Sequence, residues 1–233
     1  MVNENISKIR QRIASVCARI NRHPEEITIV AVTKNRTKEQ MLQAVEAGIS
    51  EIGENRVQDA VLKYRSLEAF SRKQKVKWHL VGHLQTNKVK DAVKIFDLIH
   101  SVDSFHVALE IDKRSKEAGK VQDILIEVNT SGEATKFGIR PEESEGLLNA
   151  VRDLKNIRVL GLMTVAPLSD DKNRVRLCFR KLKDLRDNIN EQKFMSRSLD
   201  ILSMGMSDDF EEAIEEGASV IRLGRAIFTG EAD

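Results

Sequence analysis

The stretch ITIVAVTKN, residues 27–35, is an apolar run of β-forming residues that places a lysine, Lys34, at its carboxyl end. Its branched Ile, Val and Thr side chains favour extended backbone, so the run predicts a buried strand over 27–33. In barrels of parallel strands, the active site lies at the carboxyl ends of the strands. An amine placed there by an apolar strand can lose its proton through desolvation and attack a carbonyl carbon to form a Schiff base. Lys34 is therefore a candidate functional residue.

Short apolar runs of this kind alternate with longer helical patterns along the whole chain. The eight predicted strands cover residues 27–33, 49–54, 76–82, 95–100, 123–129, 157–163, 200–204 and 219–223. Together with a helix over 5–21, and without a Pro- or Gly-rich linker, they predict an α/β fold: a single (β/α)8 barrel of the TIM type across 1–233, with an additional N-terminal helix. A doubly wound open sheet is the alternative, but it usually has a Gly-rich turn after the first strand, where this chain has TKNRT.

The predicted helices carry their own start and stop signals. Thr37 with Gln40 forms a capping-box pattern. Ser104 is predicted to cap a helix that closes at Gly119, and Ser207 to cap one that ends at Gly217.

The composition narrows the class of function. The 38 Lys and Arg residues are balanced by 36 Asp and Glu residues, so the net charge of +2 gives no electrostatic case for nucleic acid. Cys17 and Cys178 lie on apolar helical stripes, which predicts buried free thiols in a reducing compartment. No segment has the pattern of a signal peptide or approaches about 20 consecutive apolar residues. We therefore expect a cytoplasmic protein without a membrane partner.

The last two strands end in residues suited to an anion. Gly205 allows close approach of the backbone, and Ser207 offers a hydroxyl at a predicted helix start. After the eighth strand, Gly224 lies between Arg222 and Arg225. Phosphate sites in TIM barrels often follow strands seven and eight, so a phosphorylated carbonyl compound such as pyridoxal 5′-phosphate fits these loops together with Lys34.

The same two loops also have a structural reading. The glycines can be ordinary turn residues and Ser207 an ordinary helix cap. Asp208 and Asp209 suit a first helical turn but would repel phosphate unless they point away.

Other chemistry-bearing residues have weaker signals. His79 and His83 lack a nearby carboxylate or cysteine cluster, so no metal site is predicted, and His79 is expected to make a hydrogen bond near the barrel mouth. Met163 is either core or the apolar wall of a flat ring. Tyr64 lies on an amphipathic helical face and is interpreted as structural. Lys136 is a second amine near the mouth or a solvated loop lysine.

Seven motifs, one after almost every strand, carry a family resemblance. They are AVTK (31–34), GENRVQ (53–58), WHLVGHLQTNK (78–88), EVNTSGEATKFGI (127–139), GLMTVAP (161–167), SMGMSDDFEEAI (203–214) and VIRLGRAIF (220–228). With these motifs in this order, the chain resembles the pyridoxal-phosphate homeostasis protein family. The members of that family are single-domain relatives of the N-terminal barrel of alanine racemase.

The resemblance implies a cofactor and its contacts. Lys34 would hold pyridoxal 5′-phosphate as an internal aldimine, and Asn55 with Met163 would line the ring. Ser207 and the backbone at Gly205 and Gly224 would serve the phosphate.

Two arginines bear on the chemistry that the resemblance implies. Arg222 would face the pyridine nitrogen; because an arginine keeps its proton, it favours an unprotonated pyridine and weakens the ring as an electron sink. Arg225 stands where the family often has a small hydroxylated residue, and its charge can substitute in a phosphate contact.

Three functions remain open at this point. The first is a non-catalytic carrier that buffers pyridoxal phosphate or delivers it to apo-enzymes, with no catalytic residues and a monomeric state. The second is a weak amino-acid racemase, which needs an acid/base on each face of the substrate. In alanine racemase the second base is a tyrosine presented with help from another domain, which this chain is expected to lack; Tyr64 is badly placed for the role. The third is a Schiff-base aldolase acting on a phosphosugar. We favour the carrier.

Overall fold

A computed structural model of the chain describes residues 1–193, 195 and 197–230. Within these residues, eight parallel strands pair in sequence order, and the first also pairs with the last, which closes the barrel. The predicted (β/α)8 fold and its N-terminal helix are therefore confirmed. The single-domain organisation of the full chain stays a prediction.

The strands lie close to their predicted positions. They are β1 (Thr28–Val32), β2 (Glu51–Glu54), β3 (Lys77–Leu80), β4 (Leu98–Val102), β5 (Gln122–Glu127), β6 (Ile157–Met163), β7 (Ile201–Ser203) and β8 (Val220–Leu223). The prediction was wrong by three residues at the start of β4, which had been placed at Ile95. Ile95 instead ends the preceding helix and Phe96 packs in the core, so their apolar character comes from helix packing and not from a strand.

Helices connect the strands on the outside of the barrel. They are α1 (Val2–Arg19), α2 (Lys38–Glu46), α3 (Val57–Gln74), α4 (Val89–Ile95), α5 (Phe105–Glu117), α6 (Ser144–Val151), α7 (Lys172–Glu191), α8 (Phe210–Glu215) and α9 (Arg225–Phe228). The predicted capping box forms: Gln40 N donates to Thr37 Oγ1 over 3.3 Å. Ser104 caps α5 through Val107 N, also as predicted.

Two apolar clusters stabilise the fold. The larger one fills the space between the sheet and the helices, and the smaller one, formed by Leu98, Leu125 and Met163, lies inside the barrel. Cys17 and Cys178 are both buried free thiols, as predicted. Among the described residues, no helix is long and apolar enough to cross a membrane.

The N-terminal helix packs across α2, α8 and α9. Asn5 fixes this arrangement, because its Nδ2 donates to Ile227 O over 3.0 Å. Helix α1 thus ties the start of the chain to the last βα unit, which carries part of the candidate site.

Candidate functional site

The seven site residues predicted from sequence fall on five neighbouring strands. Met163 ends β6; Gly205 and Ser207 follow β7; Arg222 lies in β8 and Gly224 follows it; Lys34 follows β1 and Asn55 follows β2. Since the closed order places β6, β7, β8, β1 and β2 side by side, all seven lie along one side of the carboxyl face.

Lys34 lies in a turn two residues beyond Val32, the last residue of β1. Its side chain is exposed, so the desolvation expected from the apolar strand is not provided by the protein alone. It lines a cavity of about 700 Å³, together with residues from the loops after β2, β3 and β5. The amine is therefore accessible to a ligand in this cavity.

Asn55 lines the same cavity. Its side-chain oxygen, Oδ1, is buried and has no hydrogen-bond partner among the described residues. An unpaired buried polar atom is costly unless a ligand or water satisfies it. The backbone of Asn55 packs closely against Gly82, and a Cβ on that residue would lie 2.3 Å from Asn55 O.

Phe137 covers one side of this cavity. Its ring stacks on the His83 imidazole, with centroids 4.0 Å apart and planes 12° from parallel. The loop that carries Phe137 returns to the barrel at Ile139, whose N donates to Glu127 O over 2.9 Å. A half-exposed aromatic residue is thus held over the cavity that contains Lys34.

Ser207 does not cap the helix that follows β7, which corrects the sequence prediction. That helix, α8, begins three residues later at Phe210, after a turn, and its N-cap residue is Asp209. The Ser207 hydroxyl is buried and accepts from Ala226 N over 3.2 Å. It therefore joins the loop after β7 to the start of α9, after β8.

The acidic pair beside Ser207 is engaged within the protein. Asp208 forms an ion pair with Arg225, and Asp209 Oδ1 accepts from Met206 N over 2.6 Å. Burial raises the pKa of Asp209, although the Met206 amide and the charge of Arg222 oppose the change. Both carboxylates are therefore bound to groups of the protein itself.

Gly205 and Gly224 differ in whether the fold requires a glycine at that position. Gly205 has a φ of +94°, and a Cβ there would lie 2.6 Å from the Ala213 Cβ. Gly224 has an ordinary negative φ, and a Cβ there would make normal contacts of 3.5 and 3.7 Å with Val32. Gly205 is therefore required by the fold, while the packing of the described residues leaves room for a small side chain at Gly224.

Arg222 is only 4% exposed and is held by β7 and the end of β6. Nη1 donates to Ser203 O and Oγ over 2.8 and 2.7 Å, and Nη2 donates to Thr164 O over 2.8 Å. Burial lowers the pKa of Arg222 to about 10, against the opposing charges of Glu127 and Asp209. The guanidinium therefore stays charged at neutral pH.

Met163 lies in the cluster inside the barrel and is 1% exposed. It is not among the residues that line the Lys34 cavity. The structure therefore places Met163 in the core, and its contact with a cofactor ring stays a prediction.

Sequence reasoning missed a row of polar side chains inside the barrel. Glu51, His100 and Ser203 join His79 and Arg222 there. The signal was a polar residue within an apolar strand, as in LIHSV at 98–102, whereas the prediction placed His100 at a strand end.

Comparison with known proteins gives the family. A family model described as alanine racemase, N-terminal domain, matches residues 5–232. The pyridoxal phosphate homeostasis protein of Aquifex aeolicus is 41% identical over 225 residues, which cover 97% of this chain and 96% of that protein. The chain belongs to the pyridoxal phosphate homeostasis protein family.

Solved structures agree with this family assignment. PipY of Synechococcus elongatus, determined with pyridoxal phosphate bound, has a TM-score of 0.84 and 30% identity; the match covers 98% of this chain and 100% of PipY. Alanine racemase of Clostridium difficile has a TM-score of 0.71 and 16% identity over 93% of this chain and 57% of the racemase. The second likeness shows that this chain shares its fold with the racemase barrel.

Proposed function

We propose that this chain binds pyridoxal 5′-phosphate without catalysing a reaction, and that it buffers the cofactor or delivers it to other proteins. The observation that carries the proposal is the shared cavity of Lys34 and Asn55 in a member of the homeostasis family, with an accessible amine and an unpaired buried oxygen. Both groups fit a ligand that carries an aldehyde and hydroxyl donors.

Each side chain has a defined task in this proposal. The cofactor supplies an aldehyde; Lys34 Nζ binds its carbon as a Schiff base, and the aldehyde oxygen leaves as water. Asn55 Oδ1 accepts a hydrogen bond from the ring substituents. Arg222 would face the ring nitrogen, and Met163 would line the ring. Ser207, Gly205 and Gly224 would bind the phosphate where the loops after β7 and β8 are joined.

The carrier is favoured over the racemase by the position of the only tyrosine. Tyr64 lies on α3 and packs edge-on against Trp78, with ring centroids 5.4 Å apart. Trp78 belongs to the apolar cluster between the sheet and the helices, so Tyr64 is on the outer side of the barrel. This placement supports a site with no tyrosine opposite Lys34.

Four further properties belong to the same proposal. The chain acts as a cytoplasmic, single-domain monomer, and its recipients are apo-forms of enzymes that use pyridoxal phosphate.

Absorption spectroscopy tests the binding proposal directly. Protein mixed with pyridoxal phosphate should develop a near-visible band, and borohydride reduction followed by peptide mass spectrometry should place the adduct on Lys34. Lys34→Ala should remove both signals, while Lys38→Ala, at an exposed lysine of the following helix, should keep them. Failure of the wild-type protein to form the band or the adduct would refute the proposal.

Incubation of the loaded protein with single-enantiomer amino acids separates the two functions. Unchanged enantiomeric purity supports the carrier. Substantial racemisation that depends on Lys34 would replace it with the racemase.

A further inference from the structure

A row of polar side chains in close contact crosses the barrel interior. His79 Nε2 lies 3.1 Å from Glu51 Oε2, an ion-pair contact without hydrogen-bond geometry, and His79 Nδ1 lies 2.9 Å from His100 Nε2. His100 Nδ1 lies 2.9 Å from Ser203 Oγ, which in turn accepts from Arg222 Nη1 over 2.7 Å. The row thus links β2, β3 and β4 to β7 and β8.

The arginine end sets the direction of the first bonds. Arg222 has only donors, so Ser203 Oγ must accept from it. The serine proton is then free to point at His100 Nδ1, the other polar atom within hydrogen-bond distance of Oγ among the described residues. This makes His100 Nδ1 an acceptor and places the ring proton on Nε2, facing His79.

The glutamate end is compatible with the same direction. Burial raises the pKa of Glu51, but bonds and charges from His79 and Lys77 outweigh it and leave the carboxyl more acidic than usual. The ionised carboxylate, 3.1 Å away, favours the proton of His79 on Nε2, which leaves Nδ1 as the acceptor. His100 must then donate from Nε2, which is the assignment reached from the arginine end. Burial, helped by the charge of Arg222, holds the pKa of His100 well below its ordinary value, so this ring is neutral.

The two ends of the row face different surroundings. Glu51 begins β2 and lines a cavity of about 560 Å³ at the amino end of the barrel, beside Arg10 and Glu25. Arg222 is fully enclosed near the carboxyl end. TIM-barrel interiors are normally filled by layers of branched apolar side chains, and an incompletely paired polar row would destabilise the fold. A polar row between a reachable carboxylate and the buried arginine therefore calls for a role beyond packing.

We propose that His79, His100 and Ser203 are positioning residues that hold the Arg222 guanidinium in one orientation and make that orientation depend on Glu51, about four side chains away. The inference rests on the proposed function, because Arg222 acts on the ring nitrogen only if pyridoxal phosphate binds at Lys34. Other charged groups also face the row: Lys77 faces Glu51, and Glu127 and Asp209 face Arg222. The experiments therefore compare variants within the row with a carboxylate outside it.

Nitrogen-15 NMR of the cofactor-free protein tests the direction of the row. In mildly alkaline buffer, His79 and His100 should both be Nε2–H tautomers. His79→Gln and His100→Gln assign the two signals. An Nδ1–H tautomer at either ring would overturn the proposal, whatever the protein does with pyridoxal phosphate.

Spectroscopy of the loaded protein tests the action on Arg222. Ser203→Ala and Glu51→Gln should shift the pH midpoint of the near-visible band by about 0.5 pH units or more. The loss of a hydrogen bond to a charged group changes the free energy of protonation on that scale. His100→Gln, which can donate to His79 and accept from Ser203, should restore most of the wild-type midpoint that His100→Leu loses. The control Asp123→Asn removes a carboxylate paired with Arg158 at the amino end of β5 and should leave the midpoint unchanged.

The outcomes separate this inference from the function on which it rests. If the band forms in every variant with one common midpoint, the positioning role is refuted and the carrier stands. If the wild-type protein forms no band, the carrier fails, and the inferred action on the cofactor fails with it. Circular dichroism of each variant identifies loss of fold, and in that case the tautomers of the wild-type protein still decide the direction of the row.

Discussion

Lys63 Nζ lies 2.6 Å from Glu54 Oε1, and the carboxylate that it contacts is 1% exposed. Thr33 completes the group, because its carbonyl oxygen accepts from the same ammonium over 2.6 Å and its hydroxyl donates to Glu54 Oε1. Helix α3 is thereby tied to the ends of β1 and β2, directly beneath the loops that carry Lys34 and Asn55. The same ion pair therefore stabilises the fold and holds the strand ends that carry the site.

Replacing Lys63 tests this ion pair. Lys63→Met leaves the Glu54 carboxylate buried and unpaired, and we expect the free energy of unfolding to fall by about 3 kcal/mol. The measurement is urea unfolding of the cofactor-free protein. The matched control is Arg158→Ala, which breaks the exposed pair with Asp123 and should cost less than about 1 kcal/mol. Equal losses in the two variants would contradict the argument, and Lys63→Met with Glu54→Gln should regain part of the stability.

Phe137 should slow the escape of the cofactor. Truncation by Phe137→Ala removes the stack on His83, an interaction of about 0.5–1.5 kcal/mol, so release should become about twofold to tenfold faster. Stopped-flow trapping of released pyridoxal phosphate measures the rate. Leu168→Ala, at a fully exposed residue after β6, is the control. An unchanged release rate in Phe137→Ala would show that the ring does not cover the bound cofactor.

Glu127 should make stability depend on pH. Burial and the nearby charge of Asp103 raise its pKa to about 7, although Arg222 opposes them. The folded protein therefore binds a proton that the unfolded chain releases near pH 4.5, and stability falls as the pH rises from about 4.5 to 7. At about 1.4 kcal/mol per pKa unit, the cost reaches about 3 kcal/mol above pH 7.

Glu127→Gln should abolish that contribution. We expect the variant to gain stability over the wild type as the pH rises, with no gain at about pH 4.5. Subtracting the two urea-unfolding profiles removes the separate titration of His100, which is common to both proteins. A difference that does not change with pH would refute the raised pKa.

The two thiols should be inert while the protein is folded. Cys17 and Cys178 are buried, burial raises the pKa of both, and Cys178 also contacts Thr130 Oγ1 at 2.8 Å. We expect labelling by an aromatic disulfide reagent to require global unfolding, with equal rates for both cysteines in denaturant. Rapid labelling of either residue in native buffer would contradict this expectation.

The sequence was sufficient to predict the barrel, because the strand-forming runs, the helix-capping residues and the glycines at helix ends all indicated eight βα units. It was also sufficient to place Lys34, Asn55 and Arg222 on neighbouring strands, since chain order sets strand order in this fold. It did not reveal the exposure of Lys34 or the true partner of Ser207, because both depend on the path of a short loop in space. His100 escaped notice because its partner Ser203 is 103 residues away.

The row from Glu51 to Arg222 has a consequence for how this barrel can change over generations. Its five members share one direction of proton donation, so a replacement at one position leaves a mismatch that only a second replacement can repair. These positions should therefore be inherited as a set, with compensating pairs among distant descendants and few solitary exchanges. Redesign of the barrel interior would therefore require replacement of all five residues together.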